Sequence, residues 1–121
     1  MDIQRAELPA HPVAGEQWAL IHHVPTHDMA LAVSEAVMEF AGTARSLRLQ
    51  TVVVRELVED WRVFAFDGTA VPFADGTGVG QAPQATVQRV FKLCEPIAQR
   101  IVDPDDGEAP APNRAARRKA R

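Results

Sequence analysis

Val58-Glu59-Asp60-Trp61-Arg62-Val63-Phe64-Ala65-Phe66-Asp67-Gly68-Thr69-Ala70-Val71-Pro72-Phe73 is the stretch on which the fold turns. Its first residues are spaced like the end of an amphipathic helix. The remainder is two short apolar runs meeting at Asp67-Gly68, a dipeptide that accepts the positive φ of a tight turn. The expectation is a helix running into a small hairpin. Of the chain's two tryptophans and five phenylalanines, Trp61, Phe64, Phe66 and Phe73 lie here. Aromatic rings bury the most area per residue, so these four, with the Asp67-Gly68 turn among them, are expected to nucleate the core.

Upstream, Leu47, Thr51, Val54, Val58 and Trp61 form a stripe at helical spacing. Over residues 44–54 a strand competes, because Leu47 to Thr51 alternates and Val52-Val53-Val54 is β-branched. Arg55 to Asp60 has no strand character, which favours helix throughout. Further back, Met29, Val33, Ala36, Val37 and Phe40 share one helical face, Thr26 is placed to cap that helix, and Gly42 supplies a stop. Gln17 to Val24 is short, apolar and closed by Pro25, hence a strand, with the Phe64 or Phe73 run as a candidate partner. Residues 1–16, with Pro9, Pro12 and Gly15, show no period and are expected to form an extended arm.

Downstream, Pro72 suits an edge strand, which needs no ladder donor at that position. Residues 75–80, rich in glycine, are expected to be a flexible loop. A helix should open near Pro83, where a missing donor does no harm. Val87, Val90, Phe91, Cys94, Ile97, Ala98 and Ile101 then give an apolar stripe that stays in phase across Pro96, predicting one bent helix. The expected fold is α+β, mainly α: about three amphipathic helices packed with a small antiparallel hairpin or sheet. A single globular domain over 17–102 is expected between the N-terminal arm and a flexible tail over 103–121.

An apolar share of 46% and a charged share of 24% suit a globular chain rather than a disordered one. At 121 residues it can bury a core without disulfides or metals, and the single Cys94 has no internal partner. The absence of a signal-like or spanning segment points to the cytosol. Residues 1–102 carry 8 of the 13 basic and 12 of the 16 acidic side chains, a body four charges negative. The tail runs acidic first (Asp103, Asp105, Asp106, Glu108), then basic (Arg114, Arg117, Arg118, Lys119, Arg121).

No catalytic constellation emerges. His22 and His23 should point to opposite faces of a strand, and Pro25 separates them from His27, which is poor geometry for a tetrahedral metal site. Cys94 lies on an apolar stripe with no histidine to activate it, so a buried thiol is expected. Glu56, Glu59 and Asp60 read as a solvated helix face. The glycines at 76, 78 and 80 lack the spacing of a dinucleotide or phosphate loop. The basic tip has no interleaved aromatics for stacking on nucleic acid, and its flank is acidic. No catalytic, cofactor or metal site is therefore assigned.

The stretch from Val58 to Phe73 resembles the tail assembly chaperones of long-tailed (siphovirus-type) phages of actinobacteria, with their apolar helix, tryptophan, short run, Asp/Asn-Gly turn and proline-containing strand. Pro25-Thr26-His27-Asp28 and the terminal Asn113-Arg114-Ala115-Ala116-Arg117-Arg118 add to the resemblance, which covers roughly residues 17–121. It implies a non-enzymatic protein of the host cytoplasm. Such a protein binds the tape measure protein, keeps it soluble, promotes tail tube assembly around it and is not retained in the mature virion. The tail tube protein would join through a longer frameshifted form, and self-association is compatible with this role. On this reading Met29, Val33, Val37, Phe40, Val87 and Phe91 supply partner-binding surface in a helix-in-groove mode. A small virion structural protein, either a head-to-tail connector or a tail component, is the alternative. A nucleic-acid-binding regulator is favoured only by the basic tip.

Overall fold

A computed structural model describes residues 3–39 and 46–102. Strand β1 (Ile3–His11) and strand β2 (Gly15–His22) form an antiparallel hairpin, followed by α1 (His27–Glu39) and α2 (Ser46–Leu57). Strand β3 (Val58–Arg62) follows α2 without a connecting residue. A turn, a 3-10 segment (Ala74–Gln81) and the long helix α3 (Gln84–Val102) complete the order. The sheet runs β1-β2-β3, all antiparallel, and the three helices pack against one another over it. The fold is α+β and mainly α, as the sequence patterns predict.

The arm expected over residues 1–16 is instead β1 and its turn. Leu8 pairs with Gln17 and Ala6 with Ala19, so the inward positions of both strands meet the core. Arg5 lies over the Trp18 ring at 5.0 Å and pairs with Glu7 at 2.6 Å on the solvent side. These charges and Pro9 keep the free edge of β1 unattractive to a further strand. A period-2 pattern is weak here because the positions in phase with the inward Leu8 (Gln4, Ala6 and Ala10) add no large apolar side chain and the alternate ones include Ile3 and Pro9, so only its pairing reveals the strand.

Residues 58–61 are strand, not the expected helix end. Ile21 pairs with Val58 and Leu20 with Asp60, leaving Glu59 as the extra residue of a β-bulge. The bulge puts Val58 and Trp61 on the same buried face although they are three apart, a spacing that mimics a helix. The partner expected for β2, Phe64 or Phe73, is thus displaced by β3. The Asp67-Gly68 turn does form: Gly68 has φ +88°, its amide donates to the Ala65 carbonyl (2.9 Å), and Phe64 bridges Ala70. Bonds from Thr69 hold the exposed Asp67 carboxyl below its usual range.

The core joins Ala19, Ile21 and Trp61 of the sheet to Val33, Val53, Val54, Leu57, Val90, Cys94 and Ile97 of the helices. Trp61 packs edge-on against Phe73 (5.2 Å), and its indole N–H donates to the Val71 carbonyl (2.8 Å). Phe64 is also buried, but Phe66 is 86% exposed, so three of the four expected aromatics serve the core and Phe66 does not. Phe64 bridges Ala70 and stays inward, whereas Phe66 lies inside the turn closed by the Gly68 amide on the Ala65 carbonyl and is carried outward with it.

The expected flexible loop at 75–80 lies within the 3-10 segment and packs closely. Arg55 Nε donates to the Gly76 carbonyl (2.9 Å), and the Gly78 amide donates to Phe73 O (2.9 Å). A Cβ on Gly78 would stand 1.8 Å from the Pro72 carbonyl oxygen, so this glycine serves close approach rather than motion. Thr26 caps α1, its Oγ1 accepting from the Met29 amide at 3.3 Å. Helix α3 continues through Pro96, with the predicted stripe inward. Gly42, the basic tip and the tail over 103–121 lie outside the described residues.

Candidate interaction surfaces

Three elements converge at one end of the molecule: the far end of β1, the turn after β3, and the first turns of α3. They enclose an open, mainly apolar cleft of about 330 Å³. Leu8, Pro9 and His11 form one wall, Phe64 and Phe66 a second, and Pro83, Ala85 and Arg89 the third. Gln17, a buried polar side chain among these, ties two walls together. Its Nε2 donates to the Pro9 carbonyl (2.8 Å), and its Oε1 accepts from the Phe64 amide (2.9 Å). Both polar atoms are satisfied, so the amide costs little by being buried and ties the two walls at a fixed spacing.

The hairpin side of the cleft is set by His11. Its Nδ1 accepts from the amides of Val13 and Ala14 (both 3.0 Å), placing the proton of the neutral ring on Nε2. The ring meets Phe64 edge-on at 5.9 Å, while Arg62 stacks over the same phenylalanine at 5.0 Å. Phe66 stands on the rim. Sequence reasoning missed Gln17, Pro9 and His11 because β1 was not apparent. The signal for Gln17 was present in its alternation with Ala19 and Ile21, which places it on the inward face of β2.

The residues expected to bind a partner lie elsewhere. Val33 is fully buried and Val87 nearly so; both are core residues and offer no partner surface. Their in-phase position on each stripe is the middle of the buried face, which the helices close on. Met29, Val37 and Phe91 are partly buried against the core, and Phe40 lies outside the described residues. Val37 and Phe91 do come together, lining a shallow groove of about 190 Å³ with Leu49, Val53 and Ala98. Met38, adjacent to Val37 in the chain, is 80% exposed.

Cys94 is buried among apolar side chains, and the loss of water pushes its thiol up to about 12. Such a thiol is no nucleophile near neutral pH. His22 bonds Glu59 across the sheet at 2.8 Å, and the Asp60 carboxylate accepts from the Trp61 amide at 2.9 Å. Both carboxylates are thus engaged locally at the bulge rather than converging on a substrate site. Among the described residues no three His, Cys, Asp or Glu side chains cluster to hold a metal ion. No described helix is long and apolar enough to cross a membrane. Comparison with known protein families, curated proteins and solved structures returns no match.

Proposed function

We propose that this chain is a tail assembly chaperone of a long-tailed phage, binding the tape measure protein, keeping it soluble and promoting tube assembly around it. The observation that carries the reading is the groove between α1, α2 and α3. Val37 and Phe91 face each other there across Leu49 and Val53, with Met38 and Leu47 exposed nearby in the chain. An apolar groove between packed helices suits the apolar face of an amphipathic helix. A tape measure protein is a long, helix-rich partner that offers such faces. The role needs holding rather than chemistry, and the described residues offer surfaces for holding.

The test is affinity capture of the tagged protein from cells producing phage, with mass spectrometry of what remains bound, beside an assay of purified virions. The expected outcome is recovery of a very long helical protein, weakened by Val37→Glu, and absence of the chain from virions. Stoichiometric presence in virions would favour a connector or tail component instead.

A further inference from the structure

The cleft at the opposite end of α3 differs from the helical groove, because aromatic rings and prolines frame it and its α3 rim is cationic. Arg89 lines the cleft and also a depression that continues along α3 to Lys92, one helical turn on. Among the described residues neither forms an ion pair, although Arg5 and His22 do. On a body four charges negative, a cation in the same cleft as the exposed Phe66, with a second cation in the adjoining depression, is a selective feature.

We infer that this cleft is a docking site for an apolar protein segment followed by carboxylates. The apolar anchors enter between Pro9, Phe64 and Pro83 under the rim residue Phe66, and the carboxylates meet Arg89 and Lys92. A volume of about 330 Å³ is at the low end of ligand pockets, which suits one or two side chains of a peptide rather than a cofactor. Apolar burial supplies the attraction. The exposed charges contribute little energy each and choose among partners and orientations. Nucleic acid or an anionic membrane would lay a long row of charges over the acidic body as well as the two cations, whereas a short run of carboxylates meets the cations alone. The inference does not depend on the proposed chaperone role, since it concerns a separate surface.

The test uses two fluorescein-labelled twelve-residue peptides on the full chain, each with leucine and phenylalanine anchors, one ending in three glutamates and the other in three lysines. Amide chemical-shift mapping locates the contact. The glutamate peptide should bind at least about tenfold more tightly, with shifts at Phe64, Phe66 and Arg89. Phe66→Ala should weaken it about tenfold without moving the urea midpoint, and Arg89→Glu with Lys92→Glu should reverse the preference. Equal affinity for both peptides, indifference to Phe66→Ala, or shifts confined to the Val37 and Phe91 groove would overturn the inference. So would saturable binding of phosphatidylserine vesicles or single-stranded DNA in place of peptide. Self-association abolished by Phe66→Ala would assign the cleft to a second copy, and tighter binding of a synthetic peptide of residues 103–112 would assign it to the chain's own acidic segment.

Discussion

The side-chain oxygen of Gln17 accepts a hydrogen bond from the backbone amide of Phe64 at 2.9 Å, joining residues 47 positions apart in the sequence. The same side chain donates to Pro9, so one amide fastens the hairpin end of the sheet to the turn that carries Phe66. Replacing Gln17 with leucine keeps the volume and orphans one buried donor and one carbonyl. The buried Phe64 amide costs about 1–3 kcal/mol and the part-buried Pro9 carbonyl about 1 kcal/mol, so Gln17→Leu should lower unfolding stability by about 2–4 kcal/mol in urea titrations. An unchanged midpoint would show that water reaches both groups.

Gly78 and Gly80 form an internal pair of controls. A methyl at 78 would collide with the Pro72 carbonyl, whereas nothing lies within 4 Å of a methyl at 80. Gly78→Ala should therefore cost about 3 kcal/mol or more, and Gly80→Ala should stay within about 0.5 kcal/mol of the parent. Equal effects would mean that the 3-10 segment shifts freely.

Phe73 and Phe66 of the deciding stretch should also separate. Phe73 is 4% exposed and packs on Trp61, so Phe73→Ala should cost about 3–5 kcal/mol. Phe66 is exposed, and Phe66→Ala should leave the thermal midpoint nearly unchanged.

Cys94 imposes a pH dependence on stability. Burial raises its thiol from 9.0 to about 12, so the folded chain keeps a proton that the unfolded chain releases. Stability is unaffected by this group below pH 9 and falls as pH rises toward 12, by about 1.4 kcal/mol per unit. Urea midpoints in Cys94→Ala should decline less steeply above pH 9. The native thiol should also resist alkylation at pH 8 and react promptly once the chain is unfolded.

The helices were legible because the contacts that define them are local. Thr26 caps the amide three residues on, and Val87, Val90, Cys94, Ile97 and Ala98 repeat at the helical period regardless of what they pack against. The Asp67-Gly68 turn was legible for the same reason, since its geometry is set within four residues. The partner-binding positions were half legible. Periodicity marks an apolar face, but Val33 at its centre and Val37 at its edge look alike until a neighbouring helix covers one and not the other.

From residues alone came α1, most of α2, α3, the tight turn, the existence of β2 (expected over 17–24, found at Gly15–His22) and the buried state of Cys94, because each depends on spacing and composition within a short window. Only tertiary structure decided that residues 3–11 are a strand, that the helix stops at Leu57, that the glycine-rich segment is packed, and that Phe66 faces out. A strand is completed by hydrogen bonds to distant residues, and a bulge such as that at Glu59 moves side chains between faces without leaving a mark in the local pattern.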